Sequence, residues 1–145
     1  MTRIILDTNV CLDLFVFNDP RWQKIVAALE SRSIEAITSA ECREEWLAVL
    51  HYSHLPVTEA TRADFIKRFD LTITVESTVP MQTILPKCTD KDDQKFLEFA
   101  RDAKLDILVT KDKALLKLAR KTRALGLFDI MTPNAFLQSL VPVEM

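Results

Sequence analysis

Short, continuously apolar runs alternate along this chain with longer stretches whose apolar residues recur every three or four positions. Ile4-Ile5-Leu6 and Ile107-Leu108-Val109 are runs of the first kind, and runs of that length and composition read as strands buried on both faces. Ile34 to Thr38 reads as another strand, and Phe128 to Met131 as the last. Leu71 to Val75 alternates Thr with apolar residues, the pattern of a strand nearer a sheet edge. Helical spacing predicts helices over Val10 to Phe17, through Trp22, Ile25, Val26 and Leu29, and from Ala40 to about Tyr52. Further helices are expected around Phe65, Ile66 and Phe69, from Asp90 to Ala103, from about Lys113, and after Pro133. Asp19-Pro20, Ser39, Thr58 or Thr61, and Asp90 supply their caps, and Gly126 ends the one begun at Lys113. Strands alternating with helices predict an α/β fold: a three-layer α/β/α domain spanning 1–145 around a central, mainly parallel sheet of about five strands. Glu76 to Thr89, with Pro80 and Pro86, lacks periodicity and is expected to rim the crevice beyond the strand ends.

Acids stand where these strands stop. Asp7 follows Leu6, and Asp112 comes three residues after Val109. In open α/β sheets ligands collect beyond the carboxyl ends of the strands, so both acids are site candidates. Each also suits a helix N-cap, the bland alternative, which is the stronger one for Asp112 because Thr8 or Asn9 serves as well as Asp7. Glu41, Glu44 and Glu45 open the helix after Ser39. Glu41 suits the helix dipole, Glu44 faces solvent, and Glu45 beside Trp46 lies at the margin of the buried face. In Thr89-Asp90-Lys91-Asp92-Asp93, Asp90 is the natural cap. Asp93, three residues before Phe96, lies on the side that meets the core, with Asp92 as the fallback.

Carboxylates gathered from separate elements into one crevice repel one another unless cations neutralise them. Hard divalent ions, Mg²⁺ or Mn²⁺, suit an all-oxygen donor set, whereas zinc prefers His or Cys. Such ions activate water and stabilise charge on a leaving oxygen, the needs of phosphodiester hydrolysis. Lys111 to Arg123 carries six basic residues against one acid, a local net charge of +5 in a chain whose formal charge is -2. That segment, Lys111, Lys113 and Lys117 above all, is the expected contact for a nucleic-acid backbone.

Composition narrows the choice further. Hydrophobic residues make up 48% and charged residues 28% of 145, enough to bury a core without disulfides or metal staples. A single glycine, Gly126, excludes a dinucleotide fingerprint and a Walker loop, both of which need several. Cys11, Cys42 and Cys88 are scattered and read as reduced core thiols, and His51 and His54, without a third ligand, as surface residues. No apolar run reaches membrane-spanning length and no secretory pattern opens the chain, so a cytoplasmic location is expected. A haloacid-dehalogenase-type phosphatase needs a second Asp where Asn9 stands, and a phosphate receiver needs paired acids after the first strand; neither pattern is met.

Ile5-Leu6-Asp7-Thr8-Asn9, the Ser39-to-Glu45 helix start, Asp93 followed by Ala100, and Leu108-Val109-Thr110-Lys111-Asp112, taken together and in order, resemble the PIN domain, most of all the toxins of prokaryotic toxin-antitoxin systems. The resemblance implies that Asp7, Glu45, Asp93 and Asp112 are the metal-binding, catalytic acids. By the same likeness Asn9 and Thr110 are supporting polar residues, and Asp92 contributes. It implies a Mg²⁺- or Mn²⁺-dependent ribonuclease, a homodimer inhibited by a small antitoxin protein. The alternative is a PIN-like module that binds RNA or protein without cleaving.

Overall fold

The computed structural model describes residues 1–140, so the last five residues of the expected 1–145 domain lie outside the described part. The chain runs β1 (Thr2–Leu6), α1 (Thr8–Cys11), α2 (Gln23–Glu30), β2 (Ile34–Thr38), α3 (Ala40–Val49), α4 (Glu59–Thr72) and β3 (Ile73–Val75). It continues with α5 (Gln94–Asp102), β4 (Ile107–Val109), α6 (Lys113–Leu116), α7 (Ala119–Ala124), β5 (Asp129–Met131) and α8 (Pro133–Leu140). The strands form one sheet in the order β3-β2-β1-β4-β5, and every neighbouring pair is parallel. Helices cover both faces, which makes this the expected three-layer α/β/α fold.

Central β1 explains why its sequence is apolar throughout. Ile4 and Leu6 face one core, with Phe15, Ile25, Trp46 and Phe136, while Ile5 faces the other, with Phe96, Leu97, Leu108 and Leu115. Burying an aliphatic side chain of this size contributes roughly 1.5–3 kcal/mol, so a polar residue at any of these positions would cost the sheet its centre. Phe15, Trp46 and Phe69 form an aromatic cluster, with Trp46 and Phe69 stacked at 5.2 Å between ring centroids and Phe15 edge-on to both. That cluster is the rigid base from which the first turns of α3 project.

Several elements differ from the expectation. Leu71 and Thr72 finish α4 instead of starting β3; Thr72 Oγ1 donates to Arg68 O at 2.8 Å, the back-bond of a helical hydroxyl. Val10 to Phe17 is not one helix, because α1 passes into a π-helical turn over Leu12–Val16 that carries Asp13 into the interior. The basic helix is broken into α6 and α7, and Asp90 to Ala103 opens as a 3₁₀ turn, Lys91–Asp93, before α5. Gly126, at φ 69°, closes α7; Leu127 N reaches back to Thr122 O at 3.0 Å, a Schellman-type end that glycine enters without strain.

The segment from Glu76 to Thr89 does not rim the crevice. It crosses the outer side of α5, held by Asp102, which accepts from Met81 N at 2.9 Å, and by Gln94, which bonds Cys88 N and Pro86 O. The three cysteines are free and buried. Among the described residues no helix is long and apolar enough to cross a membrane.

Candidate metal centre

A cavity of about 300 Å³ opens beyond the tips of β1 and β4, with Asp7, Asn9, Glu45, Asp93 and Asp112 in its wall. Parallel pairing sets its floor. Leu6 stands opposite Val109, and Asp7 N donates to Val109 O at 2.9 Å, so the two strands end level and their following residues enter one hollow.

Thr110 joins the two strand ends chemically. Its fully buried hydroxyl donates to Asp7 Oδ2 at 2.7 Å and accepts from Asp112 N at 3.0 Å. Asp112 Oδ1 accepts from Ala114 N at 2.8 Å and so caps α6; the capping role and the place in the site are compatible, not alternatives. Asp7 caps α1 through its carbonyl, which accepts from Val10 N and Cys11 N, leaving the carboxylate to face the cavity. Asp93 arrives from the opposite wall, buried, at the end of the 3₁₀ turn.

One carboxylate oxygen from each of Asp7, Asp93 and Asp112 can be chosen so that all lie within 4.8 Å of one another. Burial pushes Asp7 from 3.8 to about 6; the Thr110 hydroxyl opposes the rise, while the charges of Glu45 and Asp112 add to it. Burial, the bond to Asp112 and the charge of Asp7 raise Asp93, and the same Asp93 bond holds Asp112 below the usual carboxylate range. Of this pair, Asp93 holds its proton the more tightly when nothing else compensates their charge.

Two buried oxygens in this wall, Asp93 Oδ2 and Asn9 Oδ1, have no hydrogen-bond partner, an arrangement that costs each about 1–3 kcal/mol unless a cation or solvent takes the lone pairs. The donor set is all oxygen. The residues present fit a hard divalent cation.

Glu45 reaches the cavity wall but is otherwise engaged. One oxygen accepts from the Thr8 hydroxyl, and Oε1 pairs with Lys95 Nζ at 2.9 Å. Burial works against the Lys95 ammonium, but the bond and charge of Glu45 outweigh it and raise its pKa. Glu44 is turned away beside Arg43 and Asp70. Asp92 is exposed, its carbonyl accepting from Lys95, and Asp90 stands in the wall in its stead. Lys111 pairs with Asp13 at 2.7 Å, whereas Lys113 and Lys117 are exposed.

Sequence reasoning missed Thr8, Asp13, Asp90 and Lys95. Thr8 adjoins Asp7 and was open to notice as a hydroxyl donor; Asp13 and Lys95 find their partners only through the fold. Tyr52 and His54, both exposed, form the outer lip of the cavity with rings 5.8 Å apart, so His54 is a surface residue that also borders the site.

The PIN domain family profile matches residues 3–114, from the start of β1 to the first turn of α6. No curated protein matches the chain.

Proposed function

The chain belongs to the PIN domain family, whose members are typically metal-dependent nucleases, and from that premise we propose that it is a Mg²⁺- or Mn²⁺-dependent endoribonuclease acting on single-stranded RNA. The observation that carries the proposal is the trio of Asp7, Asp93 and Asp112, converging in one open cavity with a buried Asp93 oxygen left unpartnered. Three carboxylates kept together without a lysine or arginine among them are costly, and a bound dication removes that cost.

In this proposal Asp7, Asp93 and Asp112 hold the cation, and Asn9 Oδ1 offers a further oxygen. Bound there, a divalent ion supplies activation of water and neutralises charge developing on the leaving oxygen. Thr110 fixes the Asp7 carboxylate through its hydroxyl and so sets the geometry of the centre. Glu45, steadied by Thr8 and Lys95, bounds the cavity on the side of α3 and orients water entering it. Lys113 and Lys117 hold the RNA backbone beside the strand tips. The finer biology follows the same likeness: a cytoplasmic toxin, acting as a homodimer and silenced by a small antitoxin protein.

Purified protein incubated with single-stranded RNA is the direct test. Cleavage is expected to require Mg²⁺ or Mn²⁺, to stop with EDTA, and to fall by orders of magnitude in Asp7→Asn. Cleavage that survives in that variant with EDTA present overturns the proposal, and metal binding without cleavage favours the non-catalytic module. Growth arrest on expression, absent for Asp7→Asn, tests the toxin role.

A further inference from the structure

We propose that Lys95 restricts this centre to a single divalent cation by holding Glu45 out of the ligand set and standing as a fixed positive charge where a second ion would otherwise be drawn. The inference rests on the cation site proposed above and deepens it.

Glu45 and Asp90 also line the cavity, and so many carboxylates around one hollow would suit a pair of ions about 3.5–4 Å apart. The structure divides them unequally. Asp7, Asp93 and Asp112 converge, whereas Glu45 is not part of that convergence. Its Oε1 is 2.9 Å from Lys95 Nζ, and its Oε2 accepts from Thr8 Oγ1, so each oxygen already has a donor. Lys95 cancels the charge of Glu45, so the carboxylates left to draw a second dication are those of the trio, already partly neutralised by the first ion, and the exposed Asp90 in the wall.

Lys95 is built into place instead of swinging in solvent. Its side chain is only 15% exposed, its ammonium also meets the Asp92 carbonyl, and it lies 5.3 Å from the centroid of the Phe96 ring. Those contacts anchor the ammonium to the same turn that carries Asp93, so the turn and the start of α5 supply a ligand to the cation and a restraint on Glu45 from residues two apart. A paired charge this well covered is screened far less than an exposed one. Lys95 is absent from the cavity wall, so it acts through Glu45 as a positioning residue and does not touch substrate.

The test is a Mn²⁺ titration of the full chain, with bound ion counted by electron paramagnetic resonance. Wild type and Lys95→Arg are expected to bind one Mn²⁺ per chain, and Lys95→Met, which keeps the stem over Phe96, to bind two. The second ion should vanish in Lys95→Met/Glu45→Gln. Glu45→Gln alone, which does not depend on a tolerated change at Lys95, should retain one ion with its Kd changed less than threefold. Two ions in wild type, one in Lys95→Met, or loss of the ion in Glu45→Gln would each overturn the role of Lys95 while leaving the metal centre standing. No ion in wild type would overturn the centre itself, and this proposal with it.

Discussion

The acids around the strand tips of this molecule fall into two groups. Asp13 and Glu45 each have a lysine, Lys111 at 2.7 Å and Lys95 at 2.9 Å, recruited from the far end of the chain or from the neighbouring helix. Asp7, Asp93 and Asp112 form no salt bridge with a lysine or arginine among the described residues; Asp7 has the Thr110 hydroxyl and Asp112 the Ala114 amide. The same fold that supplies cations to the first group withholds them from the second. The contrast identifies an acidic cluster that is left to be completed from outside: burial, with the charges of neighbouring acids added, pushes the pKa of two of its members up.

The sharpest way to break that comparison is Asp93→Asn. Removing a buried carboxylate that forms no salt bridge among the described residues should lower RNA cleavage by about 10³-fold or more, the scale of several kcal/mol of lost charge stabilisation. It should also raise the melting temperature measured without metal, by several degrees if about 1–2 kcal/mol of repulsion is relieved. A lower metal-free melting temperature would show that Asp93 is compensated after all.

The pH dependence gives the next largest effect. Asp7 has a folded pKa of about 6 against 3.8, so in the metal-free protein its penalty is absent below pH 4, grows as pH rises and is complete above pH 6, reaching about 3 kcal/mol. Asp93 shifts in the same direction, while Asp112, lowered, adds stability that is lost only as pH falls below the ordinary carboxylate range. A divalent cation offsets the penalty where the acids are ionised. The Mg²⁺-induced rise in melting temperature should therefore increase from pH 5 to pH 8; a constant rise across that interval would contradict the assignment.

Asp13→Asn probes the opposite group. Loss of a paired, buried carboxylate should lower the metal-free melting temperature by a few degrees, since about 1 kcal/mol is at stake beside a lysine that is 41% exposed. Opposite signs for Asp93→Asn and Asp13→Asn would establish the division directly. Smallest of all, Lys113→Ala and Lys117→Ala should each weaken RNA binding modestly and reduce the slope of log affinity against log salt by about 0.7, as expected for one single-strand phosphate contact.

Much of this arrangement was legible before any fold was known. β1 and β4 announce themselves as apolar runs, and Asp7 and Asp112 follow them closely enough that strand geometry alone delivers both acids to one edge. Asp93 was legible from its spacing to Phe96, whereas the local sequence left Thr58 and Thr61 equal as caps, and the structure joins both in one reciprocal pair with Thr58 as the cap. Glu45–Lys95 and Asp13–Lys111 join positions 50 and 98 apart, and no local pattern encodes which charge will meet which. The strap over α5 was misplaced for the same reason: Asp102 and Gln94 pin it through side chains whose direction depends on the packed helix. Leu71 and Thr72 suit a strand and a helix equally, and the length of α4 decided the matter.

Because β1 sits at the middle of the sheet, its hydrogen bonds to β4 span about a hundred residues of chain. On a ribosome adding about 5–20 residues per second, Asp7 emerges roughly 5–20 s before Asp112 exists. The proposed cleavage therefore cannot begin until translation has passed Asp112 and β4 has paired with β1, so the first hundred residues of the nascent polypeptide carry an unfinished centre.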